Sequence, residues 1–171
     1  MLYRKIEKEI EDHLKSDSDK ILIIEGARQI GKSYIIREVG KRLFKNYIEL
    51  NFVLDDASDR LYRNIQTKDD FYLTLSMLHG KKLGNYNDTL VFLDEIQQYP
   101  QYLTWLKFLR QDRRFHFVAS GSLLGITLKK TTSIPIGSVI IKQMMQLDFE
   151  EFAIANGMGQ DVIEAFSKKY Q

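Results

Sequence analysis

The stretch KILIIEGARQIGKS, residues 20–33, decides the fold of this chain. Four consecutive apolar residues, Ile21 to Ile24, are bounded by charge and glycine, which is typical of a strand buried on both faces of a sheet. The pattern G-x-x-x-x-G-K-[ST] follows at once, from Gly26 to Ser33. The next apolar residues recur at helical spacing and are Ile35, Ile36, Val39 and Leu43. The stretch therefore predicts a buried strand, a phosphate-binding loop and an amphipathic helix.

Each residue type in this loop has a chemical reason for its place. Gly26 and Gly31 permit backbone conformations that other residues avoid, and they let the chain approach a phosphate closely. The loop amides and the helix N-terminus then form a cradle for anionic oxygens. Lys32 brings a positive charge to the β- and γ-phosphates, and the hydroxyl of Ser33 is a ligand for Mg²⁺. The predicted nucleotide-binding residues are Gly26, Ala27, Arg28, Gln29, Ile30, Gly31, Lys32, Ser33 and Tyr34.

A second buried strand, TLVFLDE at residues 89–95, ends in two acids. Ligands of open α/β sheets bind at the carboxyl ends of the strands, so these carboxylates should face the phosphates. We predict that Asp94 is the second protein residue that binds the Mg²⁺, through the water molecules around the ion. Glu95 is then placed to orient or deprotonate an attacking water. A hydrolytic site is expected, with Lys32 and Glu95 as catalytic residues.

Ser120 ends the next predicted strand, FHFVASG at residues 115–121. A hydroxyl at that position would reach the γ-phosphate or the attacking water, so Ser120 is the third predicted catalytic residue. Further strands are predicted at residues 46–52 and 139–147, with an acidic irregular stretch after the first of these and a loop over 128–138.

Alternating strands and helices with doubly buried strands predict a three-layer α/β/α sandwich around a mainly parallel, five-stranded sheet. The first 157 residues form this domain in our interpretation. Asp148 with Glu151, and Asp161 with Glu164, each resemble a helix-capping pair. Residues 158–171 are predicted to begin a helical linker or a further domain, because that last helical pattern carries no stop signal.

Composition narrows the class of protein further. The chain has 171 residues, a formal net charge of +2, 44% apolar and 28% charged residues, and no cysteine. The missing cysteines exclude disulfides, Cys-ligated metals and a Cys nucleophile, and they fit a reducing compartment, so we expect a cytoplasmic location. The three histidines have no metal-ligand spacing. The longest apolar run has four residues, so no membrane span is predicted.

The motifs together resemble one family. GARQIGKS, LVFLDEIQQYP, ASGSLLG and LDFEEF look like the AAA-type ATPases of bacteria and archaea that carry a C-terminal nuclease-like domain. The resemblance covers about Tyr3 to Phe152, and its motifs are specific in combination, particularly Gln97 and Pro100 after Asp94 and Glu95. It implies a P-loop NTPase fold with the phosphate-loop strand near the centre of the sheet, ATP and Mg²⁺ as cofactors, and a missing C-terminal domain in cis. It also gives Ser120 the place of the sensor 1 residue.

One departure from that family concerns a possible arginine finger. Members commonly have a Gly-Arg pair before the fifth strand, where this chain has Gly137 and Ser138. Arg113, Arg114 and Arg28 are alternative cations near the motifs. Lys129 and Lys130 would lie in the loop before the fifth strand.

Three functions stay open on the sequence. The first is an ATPase that drives an attached domain or partner, and the second is an ATP-controlled interaction module with negligible turnover. The third, a small-molecule P-loop kinase, lacks an evident Arg-rich lid. A GTPase would carry D-x-x-G, which Asp94 to Gln97 does not match. A homo-oligomer and a nucleic-acid partner are both compatible with the sequence, which gives direct evidence for neither.

Overall fold

The computed structural model describes residues 4–53, 56–122 and 136–169. In these segments strands alternate with helices. The strands are β1 (Ile21–Glu25), β2 (Asn46–Asn51), β3 (Thr89–Asp94), β4 (His116–Gly121) and β5 (Val139–Gln143). The helices are α1 (Lys5–Lys15), α2 (Lys32–Leu43), α3 (Asp56–Arg63), α4 (Lys68–His79), α5 (Pro100–Asp112), α6 (Phe149–Ala155) and α7 (Gln160–Lys169).

The sheet is five-stranded and parallel throughout, in the order β2-β3-β4-β1-β5. The phosphate-loop strand β1 is therefore the fourth strand, between β4 and the edge strand β5, and β4 occupies the centre. Because all strands run the same way, their carboxyl ends meet at one edge. The residues predicted to carry the chemistry follow β1, β3 and β4, so the topology brings them to that edge.

Helices cover both faces of the sheet, as the sequence predicts. Leu22 and Ile24 of β1 pack into a core cluster with α1 and α2, while Ile21 and Ile23 pack into a second cluster with α4 and α5. All six residues of β3 are buried. The alternation of side chains along doubly covered strands explains why these segments consist of apolar residues without a polar face. The predicted three-layer α/β/α class is confirmed.

The stretch after β2, predicted to be irregular, contains helix α3. Its sequence DASDRLYR has no apolar stripe at helical spacing. Tyr62 is 3% exposed and its ring lies 6.2 Å from that of Phe52, whereas Leu61 points to solvent. Burial of one aromatic side chain in the core thus holds a helix that local periodicity does not indicate.

Strand β5 ends at Gln143, four residues earlier than predicted. The amide of Met144 donates to the carbonyl of Glu25 at 2.7 Å, and beyond that contact Met145 is exposed. Met144 and Met145, which the predicted strand over 139–147 includes, instead follow the strand and lie beside the phosphate loop. The predicted end of the strand was wrong because the two methionines line the cavity beside the phosphate loop and do not pair in the sheet. Of the predicted loop over 128–138, residues 136–138 form a short 3₁₀ turn and the rest lies outside the described residues.

The predicted capping pair at the start of α6 is confirmed. The amide of Glu151 donates to the Asp148 carboxylate at 2.8 Å, and the amide of Asp148 donates to the Glu151 carboxylate at 3.2 Å. The second predicted pair is wrong in its position. Helix α7 already begins at Gln160, so Asp161 lies inside its first turn rather than before it.

Candidate functional site

The phosphate loop connects β1 to α2 at the carboxyl edge of the sheet. Gln29 and Gly31 adopt left-handed backbone conformations, with φ of 64° and 96°. Gly31 caps α2 without a side-chain hydrogen bond, which leaves the amides of the first helical turn available to an anion. Left-handed residues within a turn create the amide concavities that bind phosphate. The backbone conformation of the loop is therefore compatible with the predicted cradle.

Gly26 is needed for a close approach between two segments. A Cβ atom at this position would lie 2.5 Å from the carbonyl oxygen of Met144, a distance that real Cβ atoms do not reach. The amide of Gly26 donates to the carbonyl of Gly121 at 3.1 Å. The start of the loop is thus held between the ends of β4 and β5. Ala27, Arg28, Gln29 and Tyr34 are exposed, so the side chains of the predicted nucleotide-binding set lie mainly at the surface.

Lys32 is 4% exposed and lies across the loop. Its ammonium group donates to the carbonyls of Gly26 at 2.9 Å and Ala27 at 2.7 Å. The same nitrogen lies 3.7 Å from a carboxylate oxygen of Glu95. A buried ammonium needs such partners, because desolvation without them is costly. Lys32 and Glu95, predicted from separate motifs, are therefore neighbours in the structure.

Asp94 is 2% exposed and accepts three side-chain donors. The hydroxyl of Ser33 lies 2.9 Å from both carboxylate oxygens, and the Asn51 amide donates at 2.9 Å. The hydroxyl of Ser120 is the third donor. Burial raises the pKa of the Asp94 carboxyl, and hydrogen bonds from Ser120 and Ser33 oppose that rise.

Ser33 and Asp94, the two predicted Mg²⁺ ligands, thus lie in direct contact. Both offer hard oxygen donors, and Mg²⁺ is commonly bound by one or two protein groups together with water and phosphate oxygens. Within the described residues, no group of three or more His, Cys, Asp or Glu side chains forms a separate metal site. The residues present fit a magnesium ion shared with a nucleotide.

Ser120 lies behind the acidic pair rather than in the open cleft. It is fully buried, and its hydroxyl donates to Asp94 while accepting the amide of Glu95 at 3.2 Å. Its predicted contact with a γ-phosphate or water stays a prediction. In the structure its hydroxyl holds Asp94 and the backbone of Glu95.

Three contributors to this edge were not predicted as site residues: Asn51, Gln97 and Ser122. Asn51 pairs in register with Asp94 across β2 and β3. Gln97 and Ser122 donate to the Glu95 carboxylate. The available signal was a polar residue at the end of a buried strand or in the turn after it. That signal becomes specific only when strand order and register are known.

A cavity of about 510 Å³ opens beside the phosphate loop. Its walls come from the loop, the end of β4 and the segment after β5, and they are mostly apolar. The lining residues are Glu25, Gly26, Ala27, Arg28, Ile30, Ser122, Gln143, Met144, Met145 and Gln146. The size lies in the range of small-molecule sites.

Arg113 and Arg114, considered as alternative cations, lie at the opposite edge of the sheet, before the amino end of β4. Arg113 pairs with Asp17, and the guanidinium of Arg114 lies 4.1 Å from the ring centre of Tyr72. Neither can reach the phosphate loop of its own chain. Lys129 and Lys130 lie outside the described residues. In the described segments, no helix has the length and apolar content that crossing a membrane requires.

The fold and the site define a P-loop nucleotide-binding domain, and comparison with known proteins gives the family. The signature described as "AAA domain" matches residues 18–153. The chain therefore belongs to the AAA domain family. A search of curated proteins finds no match.

Solved structures share the fold at low sequence identity. The Walker-type ATPase PABY2304 of Pyrococcus abyssi is 14% identical with a TM-score of 0.53, and the match covers 93% of this chain and 60% of that one. The Hsp104–ADP complex of S. cerevisiae is 15% identical with a TM-score of 0.58, covering 90% of this chain and 23% of that one. Hsp104 with ATPγS and FITC casein is 14% identical with a TM-score of 0.56, covering 86% and 28%. The chain thus spans less than two thirds of these proteins.

Proposed function

We propose that this chain is an ATPase domain that binds ATP with Mg²⁺ and hydrolyses it. The observation that carries the proposal is the direct contact of Ser33 with Asp94, beside Lys32 and Glu95, at one edge of the sheet. This arrangement joins a phosphate-binding loop to a pair of acids, one suited to a metal and one to a water. Membership of the AAA domain family and the Walker-type ATPase among the similar folds support the same reading.

In this proposal the loop amides and Lys32 bind the triphosphate. Lys32 exchanges its two backbone carbonyl acceptors for phosphate oxygens. Its buried ammonium group then keeps hydrogen-bond acceptors, which now carry negative charge. Ser33 and Asp94 would hold the magnesium ion, which neutralises charge on the β- and γ-phosphates. The base and sugar occupy the cavity beside Ile30 and Met144, whose apolar surfaces suit a flat aromatic base.

Hydrolysis then needs a water and a base. The water oxygen forms a bond to the γ-phosphorus while Glu95 accepts a proton from that water. The bond between the γ-phosphorus and the β–γ bridging oxygen breaks, giving ADP and phosphate. The ammonium of Lys32 stays near the developing charge. The ATPase works on an attached C-terminal domain or on a partner, and a second copy of the chain is one candidate partner.

The test compares Glu95→Gln with the unchanged protein. We expect Glu95→Gln to bind Mg-ATP with unchanged affinity and to lose at least 100-fold in single-turnover hydrolysis, because the amide cannot accept the proton. Lys32→Ala should instead lose binding. Binding without measurable turnover in the unchanged protein would favour an ATP-controlled interaction module. ATP-derived phosphate on a small molecule would favour a kinase.

A further inference from the structure

The Glu95 carboxylate is held from one side by two donors that come from different strand ends. The Gln97 amide donates to Oε2 of Glu95, and the hydroxyl of Ser122 donates to the same oxygen at 2.8 Å. The other oxygen, Oε1, faces Lys32 across 3.7 Å. The two oxygens of this side chain therefore have different surroundings, and Oε1 is the one that faces Lys32 of the phosphate loop.

Gln97 and Ser122 also hold each other. The amide nitrogen of Ser122 donates to Oε1 of Gln97 at 3.2 Å. A carboxylate has no proton to donate, so the NH₂ group of Gln97 must face Glu95 and its oxygen must face the backbone amide of Ser122. The three residues form a closed ring that ties the turn after β3 to the end of β4.

The backbone at Glu95 is constrained as well. Glu95 has φ of 56° and ψ of 48°, a left-handed conformation that residues other than glycine seldom adopt. The amide of Glu95 donates to the Ser120 hydroxyl, and the carbonyl of Glu95 accepts the amide of Gln98 at 3.0 Å. Strained conformations persist where surrounding contacts over-determine them, and such places cluster at functional sites. Both backbone and side chain of Glu95 are thus fixed by their neighbours.

We propose that Gln97 and Ser122 are positioning residues that fix Oε2 of Glu95 and thereby direct Oε1 toward the attacking water. This inference rests on the proposed ATPase function. Gln97 and Ser122 would act on the chemical step through Glu95 and not through the phosphates, although Ser122 also lines the cavity beside the loop. A base must be held within hydrogen-bond reach of the proton it takes, so a carboxylate that rotates loses rate and leaves ATP affinity unchanged.

The test uses variants that remove these donors. Gln97→Met keeps the side-chain length and removes both hydrogen bonds, Ser122→Ala removes the hydroxyl, and Ser122→Thr retains a hydroxyl. We expect Gln97→Met and Ser122→Ala to lower the single-turnover rate constant by about 10- to 100-fold, the size of loss typical when a residue that orients a metal ligand is removed. The Kd of Gln97→Met for Mg-ATP should stay within about twofold of that of the unchanged protein, because Gln97 does not line the cavity, and Ser122→Thr should keep most of the rate.

A double-mutant cycle separates positioning from a general structural role. If Gln97 acts through Glu95, Gln97→Met should cause almost no further loss in a Glu95→Gln background. The same fold-loss in both backgrounds, or a single-turnover rate constant that is unchanged or raised, would overturn the inference. Turnover in the unchanged protein together with insensitivity to both variants would overturn the inference alone. Binding without turnover in the unchanged protein would overturn the proposed ATPase, and the inference with it.

Discussion

Asp94 combines a buried carboxylate with the role of metal ligand in the proposed function. Its carboxylate is buried among three neutral donors, with Glu95 and Glu49 adding negative charge nearby. Burial raises its pKa, so the native state resists ionisation of this group more than the unfolded chain does. An ionised Asp94 therefore lowers stability at neutral pH, and a magnesium ion would relieve that cost.

The first prediction concerns Asp94→Asn in the absence of metal. The unfolded chain binds fewer protons at this site than the native state, so stability falls as pH rises through the interval from about 3.8 to the native pKa. Removing the charge should flatten this dependence, so the free energy of unfolding of Asp94→Asn, relative to that of the unchanged protein, should be higher at pH 7 than at pH 4. Urea unfolding in EDTA measures this. A difference between the two proteins that stays constant across this pH interval would contradict the electrostatic account.

Among the secondary-structure elements, helix α1 connects two parts of the site. Its N-cap residue, Arg4, joins the phosphate loop to the segment after β5. The guanidinium of Arg4 donates to the carbonyls of Ile30 at 3.2 Å and Met145 at 2.6 Å. It also pairs with Glu151, and both side chains are less than a tenth exposed. One buried charge pair thus fixes the relative positions of α1, the loop and α6.

The second prediction is that Arg4→Met lowers the free energy of unfolding by about 3–5 kcal/mol, because it leaves Glu151 buried without its cation. The same substitution at Lys5 is the matched control. Lys5 pairs with Asp148 and Glu150 at the surface, and exposed ion pairs contribute about 1 kcal/mol or less. Urea unfolding of the two variants should separate them clearly, and equal losses would contradict the role given to Arg4.

Sequence patterns predicted most elements because the signals are local. Buried strands such as β1 and β3 are runs of apolar residues, and the loop after β1 carries a motif whose spacing is fixed by phosphate geometry. Helix α3 lacks such a signal, since its place depends on the burial of Tyr62 against distant residues. The end of β5 also depends on a partner, the carbonyl of Glu25, rather than on local hydropathy.

The residues of the candidate site also fall into those that a local motif predicts and those that depend on distant contacts. Lys32, Ser33, Asp94 and Glu95 were predicted because each lies in a motif that identifies it without a three-dimensional context. The contacts of Asn51 with Asp94, and of Ser122 with Glu95, join positions 43 and 27 residues apart. They follow from the parallel register of β2, β3 and β4, which the sequence does not encode locally.

At the scale of the whole molecule, the edge of the sheet opposite the site contains two half-buried histidines. Burial lowers the pKa of both His13 and His116 below the usual 6.5. One ring nitrogen of His13 lies 3.1 Å from the carbonyl oxygen of Lys20, and one ring nitrogen of His116 lies 2.6 Å from that of Tyr86. Arg110 also opposes a positive charge on either ring.

The third prediction is a loss of global stability on mild acidification. Below pH 6.5 the unfolded chain binds protons at these histidines that the native state excludes, so the free energy of unfolding falls as the pH drops from about 7.5 to 5.5. His13→Gln and His116→Gln together should flatten that dependence. Urea unfolding across the interval measures it, and an unchanged slope in the double variant would assign the effect to other groups.

The central claim is that this domain binds Mg-ATP through the loop around Lys32, and thermal unfolding with and without Mg-ATP tests it most directly. ATP at 100 times its dissociation constant should stabilise the fold by about 2.7 kcal/mol. We expect this shift with Mg-ATP, a smaller shift with Mg-GTP, and no shift in Lys32→Ala. Equal stability with and without Mg-ATP in the unchanged, folded protein, or a shift that persists in Lys32→Ala, would contradict the account.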